Sequence, residues 1–119
     1  MAKIMEYRLW NDRDKMMVYF NDTAFIEHYT REDHPVKLMR FTGVYDANKM
    51  PIYEGDILFE RLEDPESEQA IETEYEVFYS DTHTGFVIDE SYNNDRSFLF
   101  PLGEAVVTST YKVIRNIYR

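Results

Sequence analysis

Apolar and polar side chains alternate with a period near two through most of the chain, in short runs separated by clusters of Asn, Asp, Gly and Pro. That is the signature of half-buried β-strands joined by turns. Tyr7-Arg8-Leu9-Trp10 and Met16-Met17-Val18-Tyr19-Phe20 flank the charged turn Asn11-Asp12-Arg13-Asp14-Lys15 and predict a hairpin. In residues 22–33 the spacing of Thr23, Phe25, Ile26 and Tyr29 permits one or two amphipathic helical turns, with Asp22 or Thr23 as N-cap. His34-Pro35 closes that segment, because a residue before proline is disfavoured in the helical region. Val36-Lys37-Leu38-Met39-Arg40-Phe41 reads as a further strand.

Residues 41–58 carry the densest turn chemistry. Thr42-Gly43 is placed to break one strand, and Asp46-Ala47-Asn48-Lys49 supplies side chains that bond their own backbone. After Met50-Pro51-Ile52-Tyr53, Glu54-Gly55-Asp56 tolerates positive φ before Ile57-Leu58-Phe59 resumes a strand. That strand is expected to dissolve into the acidic run of residues 60–69, an exposed loop.

Residues 72–79 are β-rich, Asp81-Thr82-His83-Thr84-Gly85 reverses the chain into Phe86-Val87-Ile88, and residues 91–96 form a polar loop. Phe98-Leu99-Phe100 is a short apolar run ended by Pro101, and residues 110–118 make a last strand. A series of short strands favours a small antiparallel barrel, in which closure removes exposed edges.

At 119 residues the chain is the size of one domain, or of two small subdomains sharing a core. Ten Tyr, eight Phe and one Trp provide enough apolar surface to offset the entropy of ordering. Thirteen basic residues face 23 acidic ones, a net charge of −10 that repels a phosphate backbone and argues against direct nucleic-acid binding. Lys112, Arg115 and Arg119 form a local basic group, which the plain reading makes a solvated strand edge. With no cysteine there is no disulfide, thiolate nucleophile or Cys-ligated metal. No apolar run approaches the ~20 residues that span a bilayer, and a soluble protein of a reducing cytoplasm is expected.

Candidate chemistry is sparse. His28, His34 and His83 lack metal-ligand spacing, although His28 with Glu27 and Asp33 could hold a cation. Thr82-His83-Thr84 beside Asp81 form the one local acid, hydroxyl and imidazole cluster, and adjacent residues rarely converge as a triad. Glu54-Gly55-Asp56 places two carboxylates around a glycine, yet reads better as a sharp turn whose Asp accepts backbone N–H groups. Gly43 and Gly55 stand without the neighbours a phosphate loop needs. No enzyme and no cofactor are expected.

The pattern resembles the YopX family of bacteriophage and prophage proteins. The resemblance rests on Tyr7-Arg8-Leu9-Trp10 and Met16-Met17-Val18-Tyr19, and most specifically on Phe41, Thr42, Gly43, Asp46, Asn48, Ile52, Tyr53, Glu54, Gly55, Asp56 and Ile57. The end, Val113-Ile114-Arg115-Asn116-Ile117-Tyr118, is also similar, with Arg115 where that family often has glycine. The resemblance implies an α+β, mainly β chain. A small N-terminal α/β portion, residues 1–50, is able to intertwine with other subunits, and an SH3-like antiparallel barrel follows over residues 51–119. It also implies a tendency to self-assemble, with Trp10, Met16 and Met17 as oligomer contacts and no assigned activity.

The expectation is thus a non-enzymatic accessory protein in the cytoplasm of a bacterial host. It would form a homo-oligomer and offer a surface to a host or phage protein. The alternatives are an acidic DNA mimic using Glu63, Asp64, Glu66 and Glu68, or a nucleic-acid-binding barrel using Lys112, Arg115 and aromatic residues.

Overall fold

The structure is a computed structural model, and it describes residues 5–22, 24, 36–81, 84–90, 100–103 and 111–118. These residues are mainly strand, and the chain divides into two compact units, Met1–Phe41 and Thr42–Arg119.

In the first unit β1 (Tyr7–Asn11) pairs antiparallel with β2 (Met16–Phe20) on one side and with residues 36–40 of β3 (Val36–Tyr45) on the other. The expected hairpin is present, and Asn11 organises its turn. The Asn11 Oδ1 accepts the amides of Arg13 at 3.1 Å and Asp14 at 3.3 Å, while its Nδ2 donates to Asp14 Oδ2 at 3.2 Å. Lys15 takes φ of 55° to close the turn. Successive residues of a strand face opposite sides, so the burial of both Leu9 and Trp10 means that both faces of β1 are covered. Tyr7 and Phe20, opposite each other in register, stack with ring centroids 5.7 Å apart. Asp22 Oδ1 accepts the Ala24 amide at 2.9 Å, as an N-cap would. The rest of the expected helical turns lies outside the described residues.

In the second unit β4 (Pro51–Tyr53) adjoins the end of β3. A five-stranded sheet follows in the order β8-β7-β6-β5-β9, from β5 (Asp56–Glu63), β6 (Ala70–Ser80), β7 (Gly85–Glu90), β8 (Phe100–Pro101) and β9 (Lys112–Asn116). Its pairings are antiparallel. The core is Ile52, Leu58, Tyr75, Val77 and Ile88 from these strands with Leu102 just after β8 and Tyr111 just before β9, and Val44, Phe86 and Val113 pack on it. Full burial of each aliphatic side chain contributes about 1.5–3 kcal/mol.

Two sequence expectations change here. Thr42-Gly43 does not break the strand, because Gly43 takes φ of 83° inside β3 while the Thr42 hydroxyl donates to the Ile52 carbonyl at 2.7 Å and ties β3 to β4. β5 does not dissolve after Phe59 either. It stays paired with β6 as far as Glu63 opposite Ala70, so the loop shrinks to residues 64–69. Pro101 sits inside β8, an outer strand of the sheet, where its missing N–H costs no ladder bond.

Candidate functional site

The turn between β3 and β4 is organised by one buried carboxylate. Asp46 Oδ1 accepts the amides of Asn48 and Met50, each at 2.8 Å, and Asp46 Oδ2 accepts the amide of Val113 in β9 at 2.9 Å. Backbone bonds reinforce this: Asp46 N to the Met50 carbonyl, Lys49 N to the Asp46 carbonyl, and Ala47 N to the Tyr111 carbonyl. Lys49 takes φ of 64° to complete the turn. Among the described residues β9 is an outer strand of its sheet, and this carboxylate accepts the amide of Val113 on it.

The second turn repeats the device. Asp56 Oδ2 accepts the Tyr53 amide at 2.8 Å in a buried setting, and Gly55 sits at φ of 85°. Gly55 N donates to the Val77 carbonyl and Ile117 N to the Gly55 carbonyl, each at 2.8 Å, so this short turn joins β6 to the end of the chain. A Cβ at φ near +85° costs about 1–2 kcal/mol, which explains glycine there. Phe41, Thr42, Gly43, Asp46, Asn48, Ile52, Tyr53, Glu54, Gly55, Asp56 and Ile57 are therefore strand and turn residues, among which Asp46 and Asp56 accept backbone amides. Among the described residues no three His, Cys, Asp or Glu converge as a metal site.

The family model for YopX protein matches residues 21–119, a span that includes both of these turns. The chain belongs to the YopX family. A solved structure, protein EF1440 from Enterococcus faecalis, is similar in fold to this YopX chain with a TM-score of 0.59. It is 20% identical, and the match covers 98% of this chain and 95% of that one. Comparison with curated proteins gives no match.

The other sequence candidates fall in three groups. His28, His34, Thr82, His83 and Arg119 lie outside the described residues, and with them the proposed cation and hydroxyl clusters. Lys112 is exposed on β9, whereas Arg115 donates to Glu74 Oε2 at 2.8 Å, so one of the basic group is already engaged by the chain's own acid. Trp10 is 4% exposed, and its Nε1 donates to Asp12 Oδ1 at 3.4 Å. Met17 is half-buried and Met16 is 55% exposed.

Two features of the YopX chain escaped the sequence reading. Glu60, in what was read as an acidic loop, is 4% exposed on β5. Its Oε1 accepts the Tyr75 hydroxyl at 3.3 Å, and Tyr75 packs edge-on against Tyr111 with centroids 5.2 Å apart. Burial, above all, raises the Tyr75 phenol well above its ordinary value; Tyr111 and the Glu60 charge add to this, and a hydrogen bond with Thr73 opposes it. The signal that could have found Glu60 is its place two residues after Leu58, on the same face of the strand.

The second feature is the far end of the β5 and β6 ladder, where Leu62 and Ile71 stand opposite each other and are 52% and 60% exposed.

Proposed function

We propose that this protein is a non-enzymatic phage or prophage accessory protein, acting in the cytoplasm of a bacterial host, that assembles with copies of itself and presents a surface to a host or phage protein. In this reading a small N-terminal α/β portion does the assembling and an SH3-like antiparallel barrel supplies the rigid body. Its main support is β2. Among the described residues β2 is the outer strand of its sheet, its five residues carry no charge, and Met16 and Tyr19 are 55% and 49% exposed. Outer strands are usually blunted by charge, proline or a bulge, and an uncharged one is a template for another strand. The turn carboxylates of Asp46 and Asp56 support the non-enzymatic half of the reading, since both are engaged by backbone amides.

Light scattering at micromolar concentration tests this. The wild type should form a defined oligomer, and M16K/Y19K should lower its mass by charging the edge. A monomeric wild type would sink the self-assembly reading. The acidic-mimic alternative draws on the exposed Glu63, Asp64, Glu66 and Glu68 at the tip of the β5 and β6 hairpin. Neutralising them should abolish inhibition of a DNA-binding protein if that reading holds.

A further inference from the structure

Within the first unit β2 is, among the described residues, the outer strand of its sheet, and Met16-Met17-Val18-Tyr19-Phe20 carries no charge. Alternation puts Met16, Val18 and Phe20 on one face of the sheet with Asn11, Leu9 and Tyr7 of β1, and Met17 and Tyr19 on the other face with Trp10 and Arg8. Met16 is 55% exposed on the first face and Tyr19 is 49% exposed on the second. A partner laid on one face of the sheet would cover one of these side chains and leave the other in water. A strand added at the edge reaches both.

A second copy of β2 fits this edge, and symmetry leaves few ways to seat it. An isologous antiparallel pair has its two-fold axis perpendicular to the sheet, so a residue is opposed only by one that shares its face, and the axis passes through a residue position, never between two. Centred on Met17, the pair sets Lys15 against Tyr19 of the second copy and Asp14 against Phe20. Centred on Tyr19, it sets Asp22 against Met16 and Asn21 against Met17. Centred on Val18, it opposes Met16 to Phe20, Met17 to Tyr19 and Val18 to Val18, so every residue of β2 meets an apolar or aromatic side chain. Apart from Val18 on the axis, each of these pairings sets a methionine against an aromatic ring, a contact that the thioether favours. The row in which Tyr7 and Phe20 already stack would then continue into Met16 of the second copy.

We propose that β2 pairs antiparallel with β2 of a second copy about a two-fold axis through Val18, joining the β3-β1-β2 ladders of two first units into one six-stranded sheet. The proposal rests on the reading of this protein as one that self-assembles and deepens it by fixing the contact, its register and its closure. Each β2 edge is consumed by the other, so this contact stops at two copies and does not propagate. An uncharged outer strand invites open-ended pairing, and closure about an axis removes that hazard.

The chain has no cysteine, so single cysteines introduced into the full chain report the register without background. Across the axis the two Val18 Cα atoms stand about 4.5–5.5 Å apart, inside the range of about 4.4–6.8 Å that a disulfide spans, whereas the two Met16 Cα atoms are offset by about 13 Å along the strands. Under mild oxidation V18C should cross-link into covalent dimers at least tenfold faster than M16C, although Met16 is exposed and Val18 half-buried, with circular dichroism verifying both folds. A second measurement needs no cysteine. M17K/Y19K and M17E/Y19E should each scatter light at lower mass than the wild type, because positions 17 and 19 of opposed strands then carry like charges, and an equimolar mixture should recover the wild-type mass. A monomeric wild type overturns both this proposal and the self-assembly reading. An oligomeric wild type in which M16C cross-links as fast as V18C, or in which the mixture fails to recover mass, overturns the two-fold register alone and leaves self-assembly to another surface.

Discussion

Replacing Asp46 by alanine removes three contacts at once, and their cost can be worked from their surroundings. The amides of Asn48 and Met50 lie in an exposed turn and can return to water, so each lost bond costs about 0.5–1.5 kcal/mol. The Val113 amide is part-buried on the β9 side, and leaving it without an acceptor costs about 1–3 kcal/mol. Allowing for overlap among contacts to one group, Asp46→Ala should destabilise the second unit by about 3–4 kcal/mol. Asp46→Asn keeps one oxygen as an acceptor but sets an NH2 group against a backbone N–H, and should cost about 1–2 kcal/mol. Urea unfolding followed by far-ultraviolet circular dichroism measures the loss, and amide hydrogen exchange localises it, with Val113 losing more protection in Asp46→Ala than amides of β7 do. A loss below about 1 kcal/mol, or an unchanged Val113 exchange rate, would refute the assignment of Asp46 as the clasp on β9.

Tyr75→Phe should cost about 1–3 kcal/mol by removing the hydroxyl that donates to the buried Glu60 carboxylate, and adding Glu60→Gln should recover part of that loss; strict additivity in the double-mutant cycle would refute the coupling. Asp64 is held below its ordinary value of 3.8, first by the Glu66 amide and then by the Ser67 hydroxyl. A carboxylate depressed on folding keeps its contact above the ordinary value and loses it as the pH falls through the folded one. The Glu66 amide resonance should therefore titrate with a midpoint under 3.8, and a midpoint at or above that value would remove the bond from the hairpin tip.

The sequence patterns that proved legible are those in which local chemistry and burial agree. The β1 and β2 hairpin could be read because Asn11 caps its turn and Leu9, Trp10 and Phe20 fill its interior. Asp46, Gly55 and Asp56 could be read as turn residues because a short acid before amides, or a glycine at positive φ, has few other uses. The outer half of β5 was illegible for the opposite reason. On its core face Glu60 is buried and Leu62 exposed, which inverts the usual rule, and Glu68 rather than a glycine takes the positive φ in the following turn at 57°. A reading by alternation therefore ended the strand at Phe59. β4 was missed because three residues between two turns are too few to show a period.

That inversion separates two kinds of residue in this chain. The motif that carries the family resemblance is consumed internally: Thr42, Asp46 and Asp56 each bond backbone groups, and β9 is tied through Asp46 to the turn after β3. Groups engaged in that way are poorly placed to recognise anything else, because a new partner would have to repay bonds already made. Recognition is better served where local rules are broken without internal compensation, as at the strand β2 of the first unit, which is uncharged and, among the described residues, outermost in its sheet.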